Sequence, residues 1–247
     1  MGINQKIVVV MPAYNAAKTL LATYENIDTR IVNEVILVDD ASKDKTVEIA
    51  RNLQIKVIAH PHNVGYGGNQ KTCYMEALRD GADIVIMLHP DGQYDPRLVP
   101  ELIKPLQNNE ADMVLGSRMI LKGKALEGGM PIYKYVSNKF LTFCENVVLG
   151  LNMSEFHTGY RAYSRRFLET VPFLRNSNNF VFDTQVIVQA VALGLRVAEV
   201  PAATRYFEGC SSASFLQSIR YGLETLFMLI RYSLHKLGIL RSRLFSK

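Results

Sequence analysis

Short apolar runs alternate with amphipathic runs through the first half of the chain, and this alternation restricts the fold more than any other feature of the sequence. Residues 7–11, 34–38, 55–59, 84–88 and 113–115 read as strands. Between them the spacing predicts helices over 17–26, 44–53 and 69–80. A further helix runs from Pro96 to about Gln107, with Asp95 as its N-cap and proline at its first position. Strands that are apolar throughout are buried on both faces. The pattern therefore predicts an α/β fold with a mostly parallel, Rossmann-like sheet flanked by helices. Ligands bind such sheets beyond the carboxyl ends of the strands. The polar clusters fall at those ends: Pro12-Ala13-Tyr14-Asn15, Asp39-Asp40 and His89-Pro90-Asp91.

The second half is less regular. Residues 122–130 read as a loop, and Val136, Phe140, Phe143 and Val147 recur at helical spacing within Ile132–Leu149. A polar turn and short strand are expected within 152–163, a helix over 182–193 and a strand over 196–200. Beyond these, Phe215, Ile219, Leu223, Leu226, Ile230, Leu234 and Leu237 form one stripe of a long helix. No internal repeat or linker interrupts the pattern. The simplest organisation is one domain over 1–212 and an amphipathic, basic helical extension over 213–247.

With 247 residues, 48% of them hydrophobic, the chain can bury a sizeable core. Its formal net charge of +5 is mild and gives no reason to expect nucleic acid. Of the three cysteines, Cys73, Cys144 and Cys210, no two are spaced as a disulfide framework or zinc site, and a reducing, cytoplasmic setting is expected. No secretory signal precedes the first strand, and the apolar segment 225–230 is too short to cross about 30 Å of hydrocarbon.

The strand-end carboxylates suit a nucleoside diphosphate bridged by Mg²⁺ or Mn²⁺, which take oxygen ligands from one or two carboxylates. Asp91 and Gln93 are candidate ligands. His89 can ligate the metal, favouring Mn²⁺, bond a phosphate, or fill the pocket wall. Asp39 or Asp40 can accept from a base N–H or a ribose hydroxyl, or simply cap the helix that follows. Gly65-Tyr66-Gly67-Gly68 is a weak phosphate-loop signal, read as a turn into the next helix with Lys71 close enough to help neutralise phosphate.

These segments, taken in order, resemble family 2 glycosyltransferases: Ile7-Val8-Val9-Val10-Met11-Pro12-Ala13-Tyr14-Asn15, Val38-Asp39-Asp40-Ala41-Ser42, Asn63-Val64-Gly65-Tyr66-Gly67-Gly68-Asn69 and Asp91-Gly92-Gln93-Tyr94-Asp95-Pro96. The branch is that of dolichyl-phosphate mannosyltransferase and the polyprenyl-phosphate sugar transferases. The resemblance spans roughly residues 5 to 212. It implies the GT-A fold and an inverting, hexosyltransferase-type reaction from a nucleotide-diphosphate sugar. Pro12, Ala13, Tyr14 and Asn15 would line the nucleotide pocket, with Asp39 or Asp40 near the base. The family's Asp-x-Asp motif falls on His89-Pro90-Asp91, so its first acid is replaced, and metal dependence and preference become open questions. The segment from Glu155 to Arg161 resembles the family's acid-to-Arg motif, where an Asp is usual, so Glu155 would occupy the acidic position near the acceptor. It would act as general base toward a hydroxyl, or orient groups where the acceptor is already a phosphate. Arg118, Lys134, Arg161 and Arg205 would then hold that phosphate.

Residues 231–247 carry Arg231, Lys236, Arg241, Arg243 and Lys247 with no acid. Such a tail suits an anionic membrane surface, a solvated helix end, or docking on the domain or on a second subunit. A peripheral position at the cytoplasmic face of a membrane, with a lipid-phosphate acceptor, follows from the first of these. Two other readings compete with a transferase. A sugar nucleotidyltransferase would want a Gly-rich, Arg-containing loop directly after the first strand, where Met11 to Asn15 stand instead. A non-catalytic nucleotide-sugar-binding scaffold finds its support in His89.

Overall fold

The computed structural model describes residues 5–207 and 214–246. Its strands are β1 (Ile7–Ala13), β2 (Glu34–Asp39), β3 (Lys56–Ala59), β4 (Ile84–Met87), β5 (Met113–Ser117), β6 (Arg161–Ser164) and β7 (Val197–Pro201). The helices are α1 (Leu20–Glu25), α2 (Thr46–Asn52), α3 (Tyr66–Arg79), α4 (Val99–Gln107), α5 (Lys124–Glu127), α6 (Ile132–Leu149), α7 (Arg165–Thr170), α8 (Phe182–Ala192) and α9 (Phe215–Lys236).

All seven strands form one sheet in the order β3-β2-β1-β4-β6-β5-β7. Every residue of β1 is buried, because it is paired on both edges and covered on both faces. Val9 lies opposite Val35 of β2 on one side and Ile86 of β4 on the other, both in parallel register. Successive side chains go to opposite faces, as the pleat requires. Val8 and Val10 join Tyr74 of α3, Phe182 of α8 and Met228 of α9 in one core. Val9 and Met11 join Leu20 of α1 and Leu102 of α4 in the other.

β6 is antiparallel to both of its neighbours, β4 and β5. This reversal positions the site. Arg161, the first residue of β6, pairs with Met87 and Leu115 near the carboxyl ends of β4 and β5. The segment leading into β6, residues 155–160, therefore arrives at the same sheet edge as His89–Gln93 and Arg118.

The strands and long helices agree with the alternation in the sequence, and the differences have local causes. α3 starts at Tyr66, not 69, so the expected Gly-rich loop ends inside a helix. A Cβ on Gly67 would lie 2.5 Å from the Ser177 carbonyl oxygen and 2.7 Å from Cβ of Phe182. Glycine is there so that α3 can touch the 177–182 segment, not so that a loop can wrap phosphate. α5 and α7 were not anticipated; α7 is begun by Ser164, whose side chain accepts from the Phe167 N–H. Cys73 and Cys144 are free thiols, while Cys210 and the expected domain boundary at 212 lie outside the described residues.

α9 opens with a reciprocal cap: Ser214 accepts from the Gln217 N–H, and the Gln217 side chain accepts from the Ser214 N–H. Its buried seam is Thr225, Met228, Leu229 and Tyr232, offset from the apolar stripe. Phe215, Ile219, Leu223, Ile230 and Leu237 of that stripe are exposed. Past α9 the chain turns back, and Leu244 and Phe245 enter the main core. Arg175 holds the carbonyls of Arg243 and Ser246 there, at 2.7 and 2.8 Å. Among the described residues no helix is long and apolar enough to cross a membrane.

Candidate active site

The carboxyl ends of β1 and β2 are tied together by backbone and short polar side chains. Asp40 donates its N–H to the Ala13 carbonyl at 2.8 Å. Asn15, at φ 54°, donates its N–H to the Ser42 hydroxyl and accepts from the Lys43 N–H, both at 2.8 Å. Pro12 and Ala13 are buried in β1, and Tyr14 stands exposed beyond them.

The two adjacent aspartates differ in what they have left to offer. Asp40 accepts from the Val64 N–H at 2.8 Å and the Gly65 N–H at 3.1 Å, and its carboxylate meets His60 Nδ1 at 3.0 Å. It fastens the loop that precedes α3. Asp39 accepts from the Ser42 N–H through Oδ2, while its Oδ1 is buried with no hydrogen bond. A buried, unsatisfied carboxylate oxygen is costly and suits a ligand donor.

Beyond β4, a cavity of about 240 Å³ is lined by His89, Asp91 and Gln93 and by Arg118, Lys134 and His157. His89 stacks on Tyr66, with ring centroids 5.6 Å apart. Its imidazole rests on Gly159, where any Cβ would lie 2.9 Å from Nε2. Burial pushes the His89 pKa down, so the ring is neutral and can bind a metal. Burial also pushes the Asp91 carboxyl up, and neighbouring His89 only partly opposes this. Among the described residues no salt bridge to Asp91 compensates that burial. Among the described residues no group of three His, Cys, Asp or Glu side chains could hold a metal ion. A cation here would rely on the His89 imidazole, the Asp91 carboxylate, the Gln93 amide and ligand oxygens. That mixed nitrogen and oxygen set fits Mn²⁺ better than Mg²⁺.

Glu155 is fully buried and Arg118 nearly so. The carboxylate accepts from the Arg118 N–H at 2.7 Å, from its Nε at 2.8 Å and from its terminal nitrogen, and from Asn138 at 2.7 Å. Burial would raise the Glu155 carboxyl, but the Arg118 guanidinium outweighs it and holds the pKa below the ordinary range. Arg118 also reaches the Tyr206 hydroxyl at 2.6 Å and the His157 carbonyl at 2.5 Å.

Other expected residues stand elsewhere. Arg161 is buried against Asp183 at 3.2 Å and the Thr158 carbonyl at 2.6 Å, bracing the turn behind the cavity. Lys71 donates to the Asn176 carbonyl and the Asn178 side chain, linking α3 to the loop before α8. Arg205 is exposed, with its N–H on the Gln93 carbonyl at 3.1 Å. Neither Lys71 nor Arg205 lines the cavity. Sequence reasoning missed His157 and Tyr221, whose ring nitrogen and hydroxyl are 2.8 Å apart, and Glu145, buried 3.0 Å from the other His157 nitrogen. His157 sits inside the motif of residues 155–161, but nothing in the sequence pairs it with residues of α6 and α9.

The model of Glycosyl transferase family 2 matches residues 8–171. An uncharacterized protein of Methanocaldococcus jannaschii is 32% identical over 227 residues, covering 92% of each chain. UDP-N-acetylglucosamine–dolichyl-phosphate N-acetylglucosaminyltransferase of Methanococcus voltae is 29% identical over 83% of this chain and 88% of that one. Undecaprenyl-phosphate mannosyltransferase of Micrococcus luteus is 27% identical over 79% of this chain and 82% of that one. Among solved structures, glucosyl-3-phosphoglycerate synthase from Mycobacterium tuberculosis with Mn²⁺, UDP-glucose and phosphoglyceric acid superposes with a TM-score of 0.66. It is 21% identical and covers 96% of this chain and 81% of that chain, a likeness of fold. Sheet order, strand-end chemistry and these matches agree: the chain belongs to glycosyltransferase family 2 and is a glycosyltransferase of GT-A fold.

Proposed function

We propose that this chain transfers a hexosyl unit, with inversion, from a nucleoside-diphosphate sugar to a polyprenyl- or dolichyl-type lipid phosphate. The observation that carries the reading is the cavity at the strand ends, lined by Asp91 and His89 together with Arg118 and Lys134. The relatives that act on dolichyl and undecaprenyl phosphate support the same acceptor class.

In this assignment the base and ribose lie over Pro12, Ala13, Tyr14 and Asn15, and Asp39 Oδ1 accepts a base N–H or ribose hydroxyl. His89, Asp91 and Gln93 would hold Mn²⁺ or Mg²⁺, which would supply positive charge to neutralise the diphosphate. Arg118 and Lys134 hold the acceptor phosphate, and one of its oxygens attacks the anomeric carbon from the face opposite the diphosphate. The new C–O bond forms as the bond to the diphosphate breaks, and the nucleoside diphosphate leaves with the electron pair. The attacking oxygen is already anionic, so no proton need be removed. Glu155, committed to Arg118 and Asn138, orients the guanidinium instead of serving as a base. Arg161 supports the turn that carries His157 and Gly159. Lys71, committed to Asn176 and Asn178, and exposed Arg205 are given no part in the transfer.

The test is a donor screen with UDP-, GDP- and TDP-sugars, Mn²⁺ and a short-chain, water-soluble prenyl phosphate. The expected product is a sugar phosphodiester of the prenol with inverted anomeric configuration. Donor binding without turnover on any lipid phosphate would return the chain to a non-catalytic role.

A further inference from the structure

The helices that wall the cavity are apolar on their outer faces. On α6, Ile132, Val136, Phe140, Phe143 and Val147 follow one face at helical spacing, and all are exposed, Phe143 and Val147 at 67% each. On α9, Leu216, Leu223, Phe227 and Ile230 do the same, with Leu216 at 76% and Phe227 at 64%. The two helices pack side by side, and the rings of Tyr133 and Phe215 meet at 5.3 Å between centroids. The patches are therefore neighbours. Apolar residues scattered singly over a surface need no explanation, but contiguous rows on two adjacent helices do.

Charge and position identify the occupant. α6 carries Lys134 and Lys139, and its single acid, Glu145, is fully buried. On α9, Arg220, Arg231 and Lys236 stand against one acid, Glu224, which is paired with Arg220 at 2.9 Å. An apolar face fringed by cations is complementary to an anionic bilayer surface. The patch also runs to the cavity: beside exposed Val136 and Ile219, Ser137 and Ser218 are on its wall. An amphiphile with its phosphate at Arg118 and Lys134 would have its tail leave across α6 and α9.

We infer that the outer faces of α6 and α9 together form a docking surface for anionic membranes, with α6 as a contact element in its own right. The inference rests on the lipid-phosphate reading above and adds the surface on which the acceptor is met. It moves the contact away from the end of the basic tail, where Leu244 and Phe245 are buried in the core.

The experiment is flotation of the full chain with phosphatidylcholine vesicles, with and without phosphatidylglycerol. One variant carries Phe140→Ser, Phe143→Ser and Val147→Ser on α6; another carries Leu223→Ser and Phe227→Ser on α9. Melting temperature confirms that both fold. The wild type floats with the anionic vesicles, and each variant loses about tenfold or more in partitioning. Transfer to a long-chain lipid phosphate in the vesicles falls in parallel, while transfer to the short, soluble prenyl phosphate is unchanged. Lys139→Glu, which leaves all apolar residues in place, weakens binding to the anionic vesicles alone. An α6 variant that partitions like the wild type overturns the inference. So does a wild-type dimer in light scattering that the α6 substitutions convert to monomer without any flotation, since the face would then belong to a second copy. Absence of transfer to either acceptor would remove the lipid-phosphate reading itself, independently of flotation.

Discussion

Asp39 and Asp40 adjoin in the chain, yet their unused hydrogen-bonding capacity differs. Asp40 satisfies two half-buried backbone N–H groups and His60, so Asp40→Ala leaves the Val64 N–H and the His60 ring nitrogen without this partner, while the Gly65 N–H keeps Asn63. The expected cost is about 3 kcal/mol, read from urea denaturation. Asp39→Asn removes no backbone partner that an amide oxygen cannot replace, and stability changes by less than about 1 kcal/mol. Its effect appears in donor saturation, as a raised KM, because Oδ1, buried without a hydrogen bond, is the atom assigned above to the base or ribose. At β4 the expectation is reversed between stability and activity. Burial strains the charged form of Asp91, so Asp91→Asn keeps or raises the melting temperature while transfer falls by about a hundredfold or more. His89→Asp supplies a second carboxylate in place of the imidazole. The ratio of kcat/KM with Mg²⁺ to that with Mn²⁺ should rise.

Glu155 gives the pH dependence. Its folded pKa lies below the ordinary 4.5, held down by Arg118 against the opposing effect of burial. A carboxyl depressed in the folded state stabilises the fold fully above its unfolded pKa. That stability is lost as pH falls from about 4.5 through the folded value. Glu155→Gln leaves the Arg118 charge buried and unpaired, which costs about 3–5 kcal/mol at neutral pH. The variant's stability should then change less than the wild type's between neutral pH and pH below about 4, in urea melts across that range.

At the scale of elements, strands were more legible than helix ends. β1, β2 and β4 are buried on both faces, so each shows as an unbroken apolar run, and their order along the chain fixes the parallel half of the sheet. β6 is only four residues, RAYS, and its place between β4 and β5 depends on partners that are distant in sequence. Without that placement, the meeting of Glu155 with Arg118 at the edge of β4 could be taken only from resemblance. The start of α3 was misplaced for a related reason. Glycine lowers helix propensity, and the contact that outweighs it lies more than a hundred residues away, at Ser177 and Phe182. Gly67→Ala should therefore destabilise, although alanine favours helices in isolation. Overpacking against a carbonyl oxygen and a core ring sets the cost at about 2 kcal/mol, measured as a shift in denaturation midpoint. An unchanged or raised midpoint would mean that α3 can back away from α8.

For the molecule as a whole, the C-terminal segment has two parts with different tasks. The sequence treats residues 213–247 as one basic, amphipathic extension, because charge and periodicity are all it displays there. In the fold, the inner side of α9 completes the core through Met228, Leu229 and Tyr232, and the chain returns to add Leu244 and Phe245. Gln189, fully buried in α8, donates to the Leu244 carbonyl at 3.0 Å as well as to Asn176, so removing the return also takes away one of the two acceptors of a buried amide. Deleting residues 237–247 should thus reduce stability instead of merely releasing an anchor. Loss of one buried aromatic side chain such as Phe245 costs about 3–5 kcal/mol. For a chain of this size each kcal/mol lowers Tm by about 2–4 °C, so the deletion should lower Tm by about 6 °C at the least. Phe245→Ala in the full chain should reproduce most of that loss, because the packing and not the basic residues is responsible. If the deletion melted at the wild-type temperature by circular dichroism, residues 237–247 would have to be an independent appendage, and the core would close without them.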